Sequence, residues 1–214
     1  MPAAPIVAIT FDDGPSIYTS RILDTLQQHG GRVSFFVMGS KVEEHKSKIN
    51  RAVLMDCEII CHAWDHLKLD EQSRRIIKKQ LVNTIKAIAK ITGKVSLTFR
   101  PPYGQTNEKV IKIAEKLGLA IVNWTLDPQD WDRQIVNAGA IYSYIMKNVK
   151  DGDIILCHDT GEATSTAMSR VIPDLIARKY RLVTVTELLK EKYGVIEPGK
   201  IYPLNNQNEQ EKTQ

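Results

Sequence analysis

The chain has 214 residues, 43% of them apolar and 25% charged, with a formal net charge of +4 at pH 7. That length suits one well-buried domain, because barrels of roughly 200–250 residues fold as single units. The charge is mild and lacks the clustered basic stripe of a nucleic-acid binder, and no apolar run approaches the ~20 residues that span a bilayer.

In chain order, Ile6-Val7-Ala8-Ile9 reads as a buried strand running into Thr10-Phe11-Asp12-Asp13-Gly14-Pro15. Two like charges side by side at the end of an apolar strand are costly unless a positive partner, a metal or an arginine, sits there. Thr19 or Ser20 caps a helix that carries Ile22, Leu23 and Leu26 and ends near Gly30-Gly31. The run Val33 to Met38 is a second strand, and Ser40 caps a polar helix to about Leu54. Glu58-Ile59-Ile60-Cys61 is a third strand, followed at once by His62-Ala63-Trp64-Asp65-His66.

A long amphipathic helix is expected from Asp70 to about Thr92, with Ile77, Leu81, Ile85 and Ile88 on one face. Val95 to Phe99 is a fourth strand, stopped by Arg100-Pro101-Pro102-Tyr103-Gly104. A helix capped by Thr106 or Asn107 runs to Leu117, and Leu119 to Trp124 is a fifth strand, ahead of Asp127-Pro128-Gln129-Asp130-Trp131. A helix over Ala138–Val149 precedes the sixth strand, Asp153 to Cys157, and then His158-Asp159. A helix over Ala167–Lys179, a seventh strand from Arg181 to Val185 and a last helix from Thr186 complete the pattern. Strands alternating with helices indicate parallel β/α units, in a barrel or a doubly wound sheet.

Five strands end in polar or aromatic clusters: Asp12-Asp13, His62/His66, Arg100/Tyr103, Asp127/Asp130/Trp131 and His158. All lie at C-terminal strand ends, the face that carries the active site of a parallel barrel. His62 and His66, four residues apart, suit two-point metal ligation, and one carboxylate from Asp12-Asp13 completes a catalytic set with open positions. The other aspartate is then free to act as a base on water, with Arg100 as its natural partner. The stiff Arg100–Gly104 turn offers a backbone N–H as an oxyanion donor. His158 fits a general acid, oriented and tuned by Asp130, while Trp131 and Leu156 form an apolar wall. Trp64, Trp124 and Tyr103 read either as core aromatics or as surfaces for a sugar ring. The three cysteines, Cys57, Cys61 and Cys157, form no Cys-x-x-Cys pair and are too few for a disulfide framework. Cys61 and Cys157 read as buried small apolar residues.

Thr10-Phe11-Asp12-Asp13-Gly14, His62-x-x-x-His66, Arg100-Pro101-Pro102-Tyr103-Gly104, Asp127-x-x-Asp130-Trp131 and Leu156-x-His158 stand in the order of the five motifs of the polysaccharide deacetylases (the NodB homology domain, carbohydrate esterase family 4). The resemblance covers residues 6 to 190. It implies a single-domain α/β fold, a distorted (β/α) barrel of about seven parallel strands, and metal-dependent removal of acetyl groups from polysaccharides. It implies Asp12 as base, paired with Arg100. Asp13, His62 and His66 hold the metal, usually Zn²⁺ and sometimes Co²⁺ or Ni²⁺. Tyr103 supplies the oxyanion N–H, and His158, tuned by Asp130, is the acid. Trp131 and Leu156 line the acetyl pocket.

Residues 1–200 are expected to form the catalytic domain and 201–214 a polar tail, disordered from Asn205 to Gln214. The implied partner is an acetylated glycan containing N-acetylglucosamine, met by a monomer without nucleic acid or a membrane span. Acetylxylan, or a catalytically weak carbohydrate-binding role, is the alternative. The family suggests a secreted or cell-surface protein, although Met1-Pro2-Ala3-Ala4-Pro5 has no leader-like pattern. One departure stands out. The family usually has Gly-Asn before the first histidine and Ser or Thr after it, where this chain has Ile60, Cys61 and Ala63. The amide and hydroxyl that would brace the metal loop are therefore missing, a change that can cost ~10–100-fold in metal affinity or activity.

Overall fold

The computed structural model describes residues 4–132 and 137–204. The tail expected from Asn205 to Gln214 lies outside them.

Strand β1 (Ile6–Gly14) is the hub of the sheet. It pairs in parallel with β2 (Ser34–Val37) over Thr10 to Gly14 and with β6 (Asp153–His158) over Val7 to Asp12. Its first two residues pair with β7 (Arg181–Leu182). Beyond β2 come β3 (Glu58–Cys61), β4 (Thr98–Phe99) and β5 (Ala120–Val122), then β8 (Ile201–Tyr202), with every pair parallel. Among the described residues the ring closes without a ninth strand. Three residues past β5 the chain turns onto β6, where Leu126 bridges Ile155 in parallel, Thr125 N–H donates to Ile154 O at 2.9 Å and Leu156 N–H donates to Leu126 O at 2.9 Å. The result is the distorted barrel of about seven parallel strands expected from the sequence, with a short eighth strand among the described residues. Two residues, Ile201 and Tyr202, were too short a run to announce the eighth, and they lie just past the domain end expected at residue 200.

Alternation along the strands sorts the core into two layers. Ile6, Ala8, Phe36, Ile60, Ala120, Val122 and Ile154 fill the barrel, while Val7, Ile9, Phe11, Phe35, Cys61 and Cys157 pack outward under the helices. The outer belt is α1 (Thr19–His29), α2 (Lys46–Leu54), α3 (Arg74–Thr92), α4 (Glu108–Lys116), α5 (Ala138–Asn148) and α6 (Glu162–Ala177). Helix α7 (Val185–Tyr193) plugs the end where strands begin. Its Val185, Leu188 and Leu189 enter the inner core, and its first N–H groups are taken by Ser34 Oγ and the Glu58 carboxylate. The opposite end, where strands finish, is left open.

Several boundaries differ from the sequence expectation. The helix expected from Asp70 begins at Arg74, because Ser73 caps it by accepting from Ile76 N–H, and a 3-10 turn occupies Leu69–Glu71. Only the 3-10 turn Gly39–Lys41 follows Met38, with α2 starting at Lys46. Helix α6 starts at Glu162, five residues before the expected Ala167. The strand expected from Val95 is ordered as strand only at Thr98–Phe99, and Val95 and Leu97 are exposed.

Candidate active site

Strict alternation along β1 would send Asp12 into the barrel and Asp13 out toward the helices, as it does Phe11. The register with β2 shifts between Asp12 and Gly14, and Asp13 takes φ 67°, an uncommon conformation for a non-glycine residue. That turn brings Asp13 back to the open end of the barrel, so both carboxylates line the same cavity of about 720 Å³. Gly14 is required directly after them. A Cβ there would stand 2.1 Å from Oδ1 of Asp159, a carboxylate fully buried beneath β1.

Arg100, fully buried at the end of β4, lies across the barrel interior beneath the cavity. Its Nη1 donates to Asp12 Oδ1 at 2.7 Å and to Thr10 Oγ1 at 2.8 Å. Nε donates to Val122 O at 3.0 Å and Nη2 to Asn123 O at 2.9 Å. The guanidinium also stacks on Phe36, 4.0 Å from the ring centroid. Burial pulls Arg100 below its ordinary pKa, and the Asp12 carboxylate opposes that pull. A buried charge is tolerated only with such partners.

Asp13 meets a different set. His66 Nε2 is 3.1 Å and His62 Nε2 3.4 Å from Asp13 Oδ1, and the ligand atoms of the three residues lie within 4.8 Å of one another. Yet buried Oδ1 has no hydrogen-bond partner among the described residues. His62 Nδ1 is spent on Arg100 O at 2.9 Å, which leaves the Nε2 lone pair facing the centre. His66 sits edge-on to Tyr103, 4.7 Å between centroids. Burial works to raise the Asp13 carboxyl, but the His62 and His66 imidazoles outweigh it and hold the group far below the usual carboxylate range. One carboxylate and two imidazoles whose ligand atoms converge in this way have the donor chemistry of a site for zinc or a related divalent cation. Cys61, next to His62, takes no part: its thiol is fully buried in the outer core and pushed up to about 12.

Across the cavity, His158 Nδ1 lies 2.7 Å from Asp130 Oδ1, and the His158 backbone N–H donates to Asp130 Oδ2 at 2.7 Å. Burial alone would lower the imidazole, but Asp130 first, then the Asp12 and Asp13 charges, raise it to about 9. Nε2 is the nitrogen left for chemistry. Trp131, 54% exposed, stands on the rim with Nε1 donating to Asp127 Oδ2 at 3.3 Å. Leu156 lies deeper in the wall, and Tyr103, at φ 61°, forms the rim beside His66.

Every site residue expected from the sequence except Arg100 therefore lines the cavity: Asp12, Asp13, His62, His66, Tyr103, Asp130, Trp131, Leu156 and His158. Arg100 supports it from below. Trp124 also lines the wall, whereas Trp64 packs its ring against Gly39 away from the cavity. Two supporting residues escaped the sequence reading. Thr10 Oγ1 links Arg100 to Ile155 O, donating at 2.7 Å. Thr164, at the start of α6, donates its hydroxyl to Asp130 Oδ2 at 2.6 Å. The odd polar position on the apolar face of β1 was a usable signal for Thr10, while nothing in the spacing around Thr164 marked it.

A family model described as "Polysaccharide deacetylase" matches residues 2–122 of this chain. The peptidoglycan-N-acetylglucosamine deacetylase PgdA of Listeria monocytogenes is 36% identical over 197 residues, which are 92% of this chain and 41% of that protein. The chain thus spans less than half the length of that relative. A peptidoglycan-N-acetylglucosamine deacetylase of Bacillus cereus is 36% identical over 194 residues, 88% of this chain and 90% of that one. Among solved structures, a family 4 acetyl xylan esterase from Clostridium thermocellum in complex with a cobalt ion superposes with TM-score 0.84 at 33% identity, covering 93% of this chain and 100% of that one.

Proposed function

The chain belongs to the polysaccharide deacetylase family, and we propose that it is a metal-dependent hydrolase removing N-acetyl groups from glycans that contain N-acetylglucosamine, of the peptidoglycan, chitin or poly-N-acetylglucosamine type. The convergence of Asp13 Oδ1, His62 Nε2 and His66 Nε2 beside Asp12 and opposite His158 carries this reading. The names of its relatives support the substrate class.

Asp13, His62 and His66 would hold the cation, zinc first and cobalt or nickel as alternatives. Bound there, it supplies Lewis-acid polarisation and a lowered pKa for water. Asp12, with Oδ1 engaged by Arg100, keeps Oδ2 to take a proton from the attacking water. The water oxygen bonds to the acetyl carbonyl carbon, and the Tyr103 backbone N–H donates to the oxygen that gains charge. The bond from that carbon to the sugar nitrogen then breaks. His158 gives its Nε2 proton to the departing nitrogen, and the products are a free amine and acetate. Asp130 keeps His158 charged and oriented for that transfer, while Trp131 and Leu156 wall the acetyl methyl group and exclude water.

Acetate release from N-acetyl chito-oligosaccharides and from peptidoglycan glycan strands, measured before chelation, after it and after metal return, tests this. Activity is expected to vanish and recover with the metal, and Asp12→Asn is expected to lose at least about a hundredfold. Activity that survives in Asp12→Asn or in chelator would sink the mechanism. An O-acetyl esterase acting on xylan is the second reading, supported by the likeness to the acetyl xylan esterase. Acetylxylan in the same panel separates the two.

A further inference from the structure

The segment from His62 to His66 must hold two imidazoles at fixed separation while its backbone is strained. Ala63 (φ 59°) and His66 (φ 60°) both sit in the left-handed region, which favours glycine. Ala63 has no polar side chain with which to brace the segment from within. The bracing comes from two neighbours instead.

On one side, the backbone just after β2 takes the carbonyls. Gly39 N–H donates to Ala63 O and Ser40 N–H to Trp64 O, both at 3.0 Å. On the other side, Gln80 of α3 takes the amides. Its Oε1 accepts from Trp64 N–H at 2.7 Å and from Asp65 N–H at 3.2 Å, and its Nε2 donates to Asp65 Oδ1 at 2.6 Å. Gln80 is 7% exposed, a polar residue within the buried stripe Ile77, Leu81, Thr84 and Ile88. Its own carbonyl is tied by the Thr84 hydroxyl at 2.9 Å. A buried amide in an apolar helix face costs free energy unless its hydrogen bonds are made, and here both ends of the amide are used on the segment between the two histidines.

We infer that Gln80 is a positioning residue for the metal pair, fixing the backbone that sets His66 against His62 and Asp13. The inference rests on the reading of Asp13, His62 and His66 as a metal site. Gln80 touches neither the metal ligands' donor atoms nor the cavity, so its effect must pass through the segment. Losing an outer support of this kind weakens metal binding by about 10–100-fold.

Co²⁺ titration of the purified full chain, followed by ligand-field absorption, reads the affinity directly, and urea unfolding of the metal-free proteins reads stability separately. Gln80→Leu removes all three hydrogen bonds at similar volume and is expected to raise the Co²⁺ Kd about 10–100-fold. Gln80→Glu keeps the acceptor but sets a carboxylate against Asp65, and is expected to weaken binding as well. The exchange Gln80→Glu with Asp65→Asn restores a donor facing an acceptor and is expected to recover the wild-type affinity and absorption spectrum. Should Gln80→Leu fail to fold, Gln80→Glu and the exchange decide the matter alone. Variants that bind Co²⁺ as tightly as wild type overturn the inference and leave the metal site standing. An exchange that recovers urea stability without recovering affinity also overturns it. A wild-type chain that binds no Co²⁺ overturns the metal site and this inference together.

Discussion

The His158–Asp130 pair makes the most quantitative claim on this structure. An imidazole with an ordinary pKa near 6.5 is raised to about 9 in the folded chain, with its side chain only 18% exposed. The folded state therefore holds the proton more tightly than the unfolded one. At about 1.4 kcal/mol per pH unit, the difference contributes roughly 3 kcal/mol to stability. Because the folded value is the higher one, that contribution is complete below about pH 6.5 and is lost as pH rises through 9. For a chain of this size, roughly 2–4 °C of melting temperature accompany each kcal/mol, so about 6–12 °C should disappear between pH 6.5 and 10 from this group alone. Asp130→Asn removes the main cause of the shift while leaving an acceptor of similar shape. Burial then acts unopposed by Asp130, the imidazole titrates well below 9, and the stability slope between pH 7 and 9.5 flattens. The assay is urea unfolding of chelator-treated wild type and variant across that range, with the His158 ring followed by NMR. A wild-type ring that titrates near 6.5, or an Asp130→Asn variant with an unchanged slope, would refute the reasoning.

Two further outcomes follow from the buried charges. Arg100→Met strands the Asp12 carboxylate in the barrel without its cation and should cost about 3–5 kcal/mol, read as a lower urea midpoint at unchanged slope; a loss below about 1 kcal/mol would contradict the buried pair. Asp159 runs the other way: burial first, and Asp13 in part, push its carboxyl up to about 7 against the pull of the Thr19 hydroxyl and Lys41. Its raised folded value means that its contribution is complete below about pH 4 and lost as pH rises through 7, so Asp159→Asn should match wild type near pH 4 and exceed it by ~2–4 kcal/mol at pH 8. Equal stability of the two proteins at pH 8 would contradict this.

The barrel and the location of its cavity were legible because both follow from local pattern. Apolar runs such as Ile6 to Ile9 and Asp153 to Cys157 fix strands, and a polar cluster after each marks the open end. What was not legible depends on contacts that no local pattern carries. Ring closure rests on Leu126 meeting Ile155, residues in an unpatterned stretch and a strand that are brought together only by the curl of the sheet. Both side chains of Asp12-Asp13 reach the cavity only because Asp13 takes a conformation that its residue type disfavours. Gln80 and Thr164 act from helices packed behind the site, where one polar residue among apolar neighbours gives no hint of what it bonds. The departure at Ile60, Cys61 and Ala63 was visible, but its consequence was not, since the support lies 15 residues further along, from Asp65 to Gln80.

The adjacency of Asp12 and Asp13, costly as it looked in the sequence, is what lets one strand end serve two purposes. Coulomb repulsion between neighbouring carboxylates falls when each is matched locally. Asp12 points down the barrel to a guanidinium held by four oxygen acceptors, while the bulge turns Asp13 toward two imidazoles. Asp130, across the cavity, is matched to His158. Of these three carboxylates, two face cations of the chain itself. The third, Asp13, faces the two imidazoles, and His62 spends its Nδ1 proton on the carbonyl of Arg100, the same residue that pairs with Asp12. Arg100 thus ties the halves together: its side chain holds the proposed base in place, and its backbone sets the tautomer of a proposed metal ligand. Moving it would disturb proton transfer and metal binding at once, which is why its burial at the centre of the barrel, rather than on the rim, suits the proposed chemistry.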